Sequence, residues 1–325
     1  MKKHIRSICS LLTVAFLMLH ANSAVAAQDF ADFDMTDFIP AKGKNYESYT
    51  IGEFLQAYTA KRWVPAFSMN KYETTYNLWY SVKIQAEKSG YVFMNSGQEG
   101  SSGKIGDEPT ENRFHPVTRI SWNDAVVWCN ALSELNGKTP CYTYKNQVLR
   151  DSTDTATLDL CTCNWQADGY RLPREEEWEF CARKTKNGMQ RGDEVSGQLN
   201  SEMPAENFAW NDKNATGTRT VGTAGTPFMP EAQPMPGTGN ANASGLFDMS
   251  GNVLELCWDW LDNYKETVPE KYYAGPQYGS QRVARGGSWN PYSAFVLCAD
   301  RYAYDPNEVW NFIGFRICRT IQMPQ

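Results

Sequence analysis

Histidine is nearly missing from this chain. Only His4, His20 and His115 occur in 325 residues, and the first two fall in a segment that reads as an export signal. Metal sites built on two imidazoles, His-rich zinc sites among them, therefore have no ligands in a mature chain. A Ser-His-Asp or Cys-His unit would rest on His115 alone, in Phe114-His115-Pro116, where a structural or solvated imidazole is the commoner arrangement. Long apolar runs are also scarce. Leu11 to Leu19 is too short and too abruptly ended to span a bilayer. It lies between a positive region (Lys2, Lys3, Arg6) and the small-residue Ala24-Val25-Ala26, the pattern of a signal peptide. Residues 1–27 are expected to be removed, with export to periplasm, cell surface or medium. That removal takes three positive charges and no acid, moving the formal charge from −6 to −9. Clustered Lys and Arg are absent as well, so nucleic acid is excluded as a partner, because neutralising phosphates needs such clusters. No low-complexity tract or internal repeat divides the rest. One domain is expected over 61–321, with 28–60 as a lead-in.

Cysteine and tryptophan are what the chain has instead. Nine cysteines include Cys9 of the leader, leaving eight. In an oxidising compartment disulfides are reasonable, although each cysteine is equally readable as a small buried apolar residue. Three helices are legible. The first spans about 74–87, with Thr74 or Thr75 as cap, Leu78, Trp79, Val82 and Ala86 at helical spacing, and Gly90 beyond its end. The second spans about 121–135, with Ser121 as N-cap, Asp124 in the first turn and Gly137 as terminator. The third spans about 174–184. Pro173 suits its start, and Glu175, Glu176 and Glu177 sit at the positive end of its dipole. Elsewhere the pattern is short strands and long loops. Residues 185–245 are rich in Gly, Pro, Asn and Thr, and eleven tryptophans are available to bury such loops.

Five motifs follow in order: Pro116-Val117-Thr118-Arg119-Ile120-Ser121-Trp122; Gly169-Tyr170-Arg171-Leu172-Pro173 running on to Trp178; Gly245-Leu246-Phe247-Asp248-Met249-Ser250-Gly251-Asn252-Val253; Arg285-Gly286-Gly287-Ser288-Trp289; and Gly314-Phe315-Arg316. In that order and spacing the chain resembles the sulfatase-modifying-factor (formylglycine-generating enzyme, FGE-sulfatase) domain. The resemblance implies an α+β domain of the C-type-lectin-like type, irregular, with few helices and short antiparallel strands. The residues agree. Arg171, Arg285 and Arg316 lie inside glycine- and aromatic-rich motifs, where a buried guanidinium needs carboxylates and carbonyls around it and fixes irregular backbone in return.

The enzymes of that family oxidise a substrate cysteine with a pair of cysteines placed just after the Gly-Gly-Ser-aromatic motif, a pair that can hold copper(I). Here Pro291 and Val296 stand at those positions. Without thiolates there is no soft copper ligand and no disulfide exchange. The iron-dependent sulfur-transfer branch needs histidines that this chain lacks. The resemblance further implies a calcium site formed by Asp248, the carbonyls of Gly251 and Val253, and Glu255, since hard oxygen ligands on a turn suit calcium. Read without the family, Asp248 and Glu255 are open to solvation or to pairing with an arginine. The resemblance also implies disulfides Cys129–Cys318 and Cys181–Cys298.

Between the rigid ends of the C-terminal motifs lies a different composition. Asn290, Tyr292, Ser293, Phe295, Asp300, Tyr302, Tyr304, Asp305, Trp310, Asn311 and Phe312 alternate aromatic with small polar residues, as adaptable binding surfaces do. The alternative is a core loop with incidental aromatics. The stretch resembles the C-terminal variable region of lectin-fold proteins diversified by retroelements, in which adenines of Asn-rich templates are replaced. Randomising both adenines of an AAC codon gives Tyr, Ser, Phe, Val, Asp, Ala, Leu or Pro, and these dominate here. The function expected is an exported, non-catalytic ligand-binding protein, receptor- or adhesin-like, with 290–312 as the face for a protein or glycan ligand. A formylglycine-generating oxidoreductase using other cysteines, and a structural envelope protein, are the competing readings.

Overall fold

The computed structural model describes residues 34–323 apart from 43, 53–58, 201, 228–233, 265–272 and 274; the expected signal peptide lies outside the described residues. Four helices, α1 (Tyr76–Lys88), α2 (Trp122–Leu135), α3 (Thr155–Asp159) and α4 (Glu175–Arg183), are set among short strands and long loops. The class is the α+β, C-type-lectin-like one expected. Three of the helices stand where sequence periodicity puts them. Thr75 Oγ1 accepts from Leu78 N to cap α1, which ends before Gly90 at φ 84°. Ser121 and Asp124 cap α2 reciprocally. The five-residue α3, capped by Asp154, is too short to leave a periodic signature.

Two four-stranded sheets carry the architecture. In one, the strands run Met35–Phe38, Phe67–Asn70, Cys318–Thr320 and Tyr170–Arg171, all antiparallel. Its edge strand comes from the segment read as a lead-in. A second part of that segment, Glu47–Ile51, pairs with Ala60–Val64. These residues are built into the domain because Tyr49 and Ile51 alternate inward and are buried. In the other sheet the order is Arg301–Tyr304, Arg282–Arg285, Leu254–Trp260 and Ile313–Gly314, the last pair parallel.

The main core lies between α1, α2 and the second sheet. Trp79 stacks on Trp128 with ring centroids 5.7 Å apart, and Phe315 meets both edge-on. Helix α4 is unusual because every residue is buried, Glu175, Glu176, Glu177 and Glu179 included. Its glutamates serve an ion network more than a dipole. Arg171 Nη1 and Nη2 grip Glu177 at 2.7 and 2.9 Å, and Glu177 also accepts from Arg174 N. Burial raises the Glu177 carboxyl, but Arg171 and Arg174 overcome it and hold the group down at about 2.

The expected disulfides are not formed. All eight cysteines of the described residues are free thiols. Cys318 instead accepts from Arg171 Nη1 at 3.0 Å, and the Cys298 thiol faces the Ala182 carbonyl at 3.7 Å. Burial pushes the thiols of Cys129, Cys181, Cys298 and Cys318 upward, keeping them protonated. The pair that does meet is Cys141 with Cys163, which share a hydrogen bond beside the Tyr142–Cys163 strand register.

Candidate binding face

Buried arginines fix both ends of the 290–312 segment. Arg285 donates to the Glu179 carboxylate and to three successive carbonyls, Cys298 at 3.0 Å, Ala299 at 2.9 Å and Asp300 at 2.5 Å. Arg316 grips both oxygens of Glu255, at 2.6 and 2.5 Å, and reaches the carbonyls of Asn70, Lys71 and Phe247. The motifs that stand apart in sequence join here. Gly251 N donates to Gly286 O at 2.8 Å, and Trp289 N to Asn252 O at 3.2 Å.

The turn that opens the segment depends on Gly287. Its φ is 68°, and a Cβ there would lie 2.3 Å from Phe295 O, so only glycine lets the two stretches close. Ser288 N then donates to Ser293 O at 2.7 Å, and the two serine hydroxyls share a hydrogen bond. Asn290 Oδ1 accepts from Tyr292 N at 3.0 Å, starting a single 3₁₀ turn over Pro291–Ser293. Pro291 suits that first position because its φ is already set. This compact loop lifts Tyr292 and Phe295 into solvent, 89% and 74% exposed, while Val296 turns inward against Val195, Phe208 and Ala209. Both positions that would carry redox cysteines therefore have structural occupants, a turn-forming ring and a small apolar plug.

The predicted face divides on inspection. Tyr292, Phe295 and Trp310 are exposed large apolar groups, with Asp305 exposed beside them in sequence and Asn290, Asp300, Tyr302 and Tyr304 part-exposed. Tyr302 and Tyr304 project from the Arg301–Tyr304 strand, where Tyr302 OH reaches Phe295 O at 3.2 Å. The Tyr304, Phe312 and Trp310 rings follow one another at 6.4 and 5.7 Å. Part-exposed and exposed aromatics thus form a track from Phe295 to Trp310, its last two members joined through the buried Phe312 ring. Burial raises both tyrosines to about 12, so each remains a phenol that can donate at neutral pH. Three predicted members belong to the scaffold instead. Ser293 and Phe312 are buried, and Asn311 Nδ2 ties the segment to Ser101 O at 3.1 Å. His115 hydrogen-bonds Thr218 and is lowered to about 4 by burial and Arg219, so it is neutral at pH 7.

The four ligands expected for calcium are adjacent, but the set does not fit the ion as it stands. Asp248 Oδ2 accepts from Gly222 N and Oδ1 is buried without a partner. Glu255 is already engaged, with Arg316 on both oxygens and Trp178 Nε1 adding a bond at 2.7 Å, so a cation there would have to displace or share the guanidinium. The sequence offered the arginine pairing as the alternative for Glu255, and the structure shows that pairing. Sequence reasoning missed Glu179 and the carbonyl clamp of Arg285. The signal present was four carboxylates at 175, 176, 177 and 179 on one short helix, too many for a solvated face next to Trp178 and Phe180.

Residues 33–321 match the family model of the sulfatase-modifying factor enzyme 1-like (FGE-sulfatase) domain. The chain is 30% identical over 235 residues to chaperone protein LppX of Paenibacillus barcinonensis, a match covering 69% of each chain. It is 33% identical to the serine/threonine-protein kinase pkn1 of Chlamydia caviae, but over 47% of this chain and only 22% of that protein. Against the formylglycine-generating enzyme of Streptomyces coelicolor the identity is 27%, over 67% of this chain and 55% of the enzyme. Among solved structures, Treponema denticola variable protein 1 superposes with a TM-score of 0.65 at 25% identity, covering 89% of this chain and 95% of the other. CarF gives a TM-score of 0.63 at 25% identity, with 89% and 99% covered. Among the described residues no helix is long and apolar enough to cross a membrane.

Proposed function

For a chain that belongs to the sulfatase-modifying factor enzyme 1-like domain family, we propose an exported, non-catalytic role in ligand binding, with the aromatic track from Phe295 to Trp310 as the contact face. One observation carries this reading. The stretch that holds the redox cysteines in the family's enzymes here holds Pro291 and Val296, and it presents Tyr292 and Phe295 to solvent instead. Large exposed aromatics on a clamped loop are what a recognition surface needs, because their contact area comes with few rotamers to freeze. The likeness to a protein titled a variable protein supports the same view. Export rests on the leader pattern of residues 1–27, and mapping the N-terminus of the secreted product would check it.

The test compares wild type with the triple variant Tyr292→Ala, Phe295→Ala, Trp310→Ala on an array of secreted proteins and glycans. Wild type is expected to retain a ligand that the variant loses by more than about 100-fold, since clustered aromatic anchors each contribute ~2 kcal/mol or more. The variant should melt within a few degrees of wild type. Equal retention by both would remove the face from the proposal. The enzymatic alternative predicts copper-dependent conversion of a Cys-x-Pro-x-Arg peptide, and none is expected. Calcium added to EDTA-stripped protein is expected to give neither heat nor a thermal shift; a saturable heat would mean that Glu255 leaves Arg316 for the ion.

A further inference from the structure

A second concavity lies away from Tyr292 and Phe295. It is a cleft of about 390 Å³ between Trp258 and Trp260 of the second sheet, Trp165 and Tyr273, within the ~300–1,000 Å³ range of small-molecule sites. Arg282 forms part of its wall and is 2% exposed. The guanidinium is sandwiched, with its centre 3.6 Å from the Trp122 ring centroid and 3.4 Å from that of Trp260. Nη1 donates to Trp258 O at 2.6 Å, while Nε is buried without a partner. Among the described residues no carboxylate lies within ion-pair distance of it, in contrast to Arg171, Arg174, Arg285, Arg301 and Arg316, each of which has a glutamate.

We propose that this cleft binds a carboxylate-bearing sugar, the carboxylate meeting the edge of Arg282 and the ring lying on tryptophan. The two indole faces cover the guanidinium from above and below, so a ligand can meet it only at its edge, where Nε is buried in the cleft wall without a partner. An edge with an unused N–H matches the planar fork that guanidinium offers to carboxylate. Aromatic walls, with Trp165 set perpendicular to Trp258 at 5.7 Å, suit the C–H face of a sugar ring, and Asp159, Thr162 and Gln277 line the same cleft with groups that hydrogen-bond hydroxyls. Cys161 and Cys163 also line the cleft, but burial raises both thiols, Cys161 to about 12. The site stands independently of the 290–312 face, although Arg282 pairs across the sheet with Tyr304.

Calorimetric titration with sodium glucuronate and with glucose tests the assignment. Glucuronate is expected to bind saturably and at least about tenfold more tightly, the margin typical of a hydrogen bond to a charged group. Arg282→Gln should erase that preference. Tyr273→Ala, at the lip, should weaken glucuronate and leave the preference in place. Should Arg282→Gln fail to fold, the Arg282 Nε–H resonance of the wild-type protein serves instead, expected to move with glucuronate and to stay put with glucose. The triple alanine variant of the binding face should titrate like wild type. Absence of saturable glucuronate binding, equal affinity for glucose, benzoate binding as tightly as glucuronate, or a still resonance would each overturn the proposal.

Discussion

Arg285→Ala is expected to destabilise the protein by about 3–5 kcal/mol, the range for breaking a buried ion pair by removing one partner. The change takes from Glu179, which is 0% exposed, the guanidinium that holds its Oε2. It also removes the shared donor of three consecutive carbonyls, those of Cys298, Ala299 and Asp300. Glu179 keeps Arg183 at 2.6 Å and the backbone N–H of Gly52, which holds the loss within that range. Total stabilities of ~5–15 kcal/mol make such a loss severe. Arg285→Lys should not rescue, because an ammonium is a compact point charge and cannot span a carboxylate and three carbonyls at once. Urea unfolding would show the midpoint fall with an unchanged slope. A midpoint within error of wild type would mean that the 298–300 backbone is held by something other than Arg285. The same variant should weaken ligand capture by the face, since those carbonyls anchor the strand carrying Tyr302 and Tyr304.

The helices were readable because their caps and apolar spacing are local. Ser121 with Asp124, and Thr75 ahead of Leu78, act within one turn, and a single sequence displays them. The arginine network was half legible. Arg171, Arg285 and Arg316 announce buried cations by sitting among glycines and aromatics, but the partners of Arg285 and Arg316, Glu179 and Glu255, lie 106 and 61 residues away in the chain. No local rule links them. Strand pairing was hidden for the same reason. Phe67–Asn70 meets Cys318–Thr320 from the far end of the chain, most strands have only two to five residues, and the seven-residue Leu254–Trp260 is buried throughout, so alternation does not show. Within the face, composition found the right stretch and could not sort it. Ser293 and Phe312 look like members of an aromatic and small-polar series, and only the turn held by Ser288 and the core under Tyr304 show that they point inward. The cleft around Arg282 left no trace in the sequence, since Trp165, Trp258, Trp260 and Tyr273 come from three separate segments.

Asp259→Asn is expected to stabilise the protein at pH 8 and to make no difference at pH 4. Around the start of α4 the buried guanidiniums are all taken by the three glutamates, and among the described residues none lies within ion-pair distance of Asp259. Glu175 is bound by Arg301 at 2.6 and 2.7 Å, and Glu177 by Arg171 and Arg174. Glu176 has Arg174 at 2.7 Å and Arg62 at 3.7 Å. Asp259 receives a backbone N–H, that of Glu175, at 2.6 Å. Burial, followed by repulsion from Glu175, pushes Asp259 up to about 7, and burial pushes Glu176 up to about 8. An unfolded aspartate ionises near 4. Between about pH 4 and pH 7 the folded state therefore holds a proton that the unfolded state has lost, and stability falls as pH rises, by ~1.4 kcal/mol per unit for one proton. Below that window the group's contribution is fully present, and above it the loss is complete. Asparagine does not titrate and still offers an oxygen to Glu175 N. The variant should gain on wild type through the window, by up to about 4 kcal/mol at its upper end. Glu176→Gln should behave alike with the window extended to about pH 8. Urea midpoints measured at pH 4, 6 and 8 decide it: a gain that is absent at pH 8, or that persists undiminished at pH 4, would show that Asp259 is ionised in the folded protein and that the arginines around α4 already balance its charge.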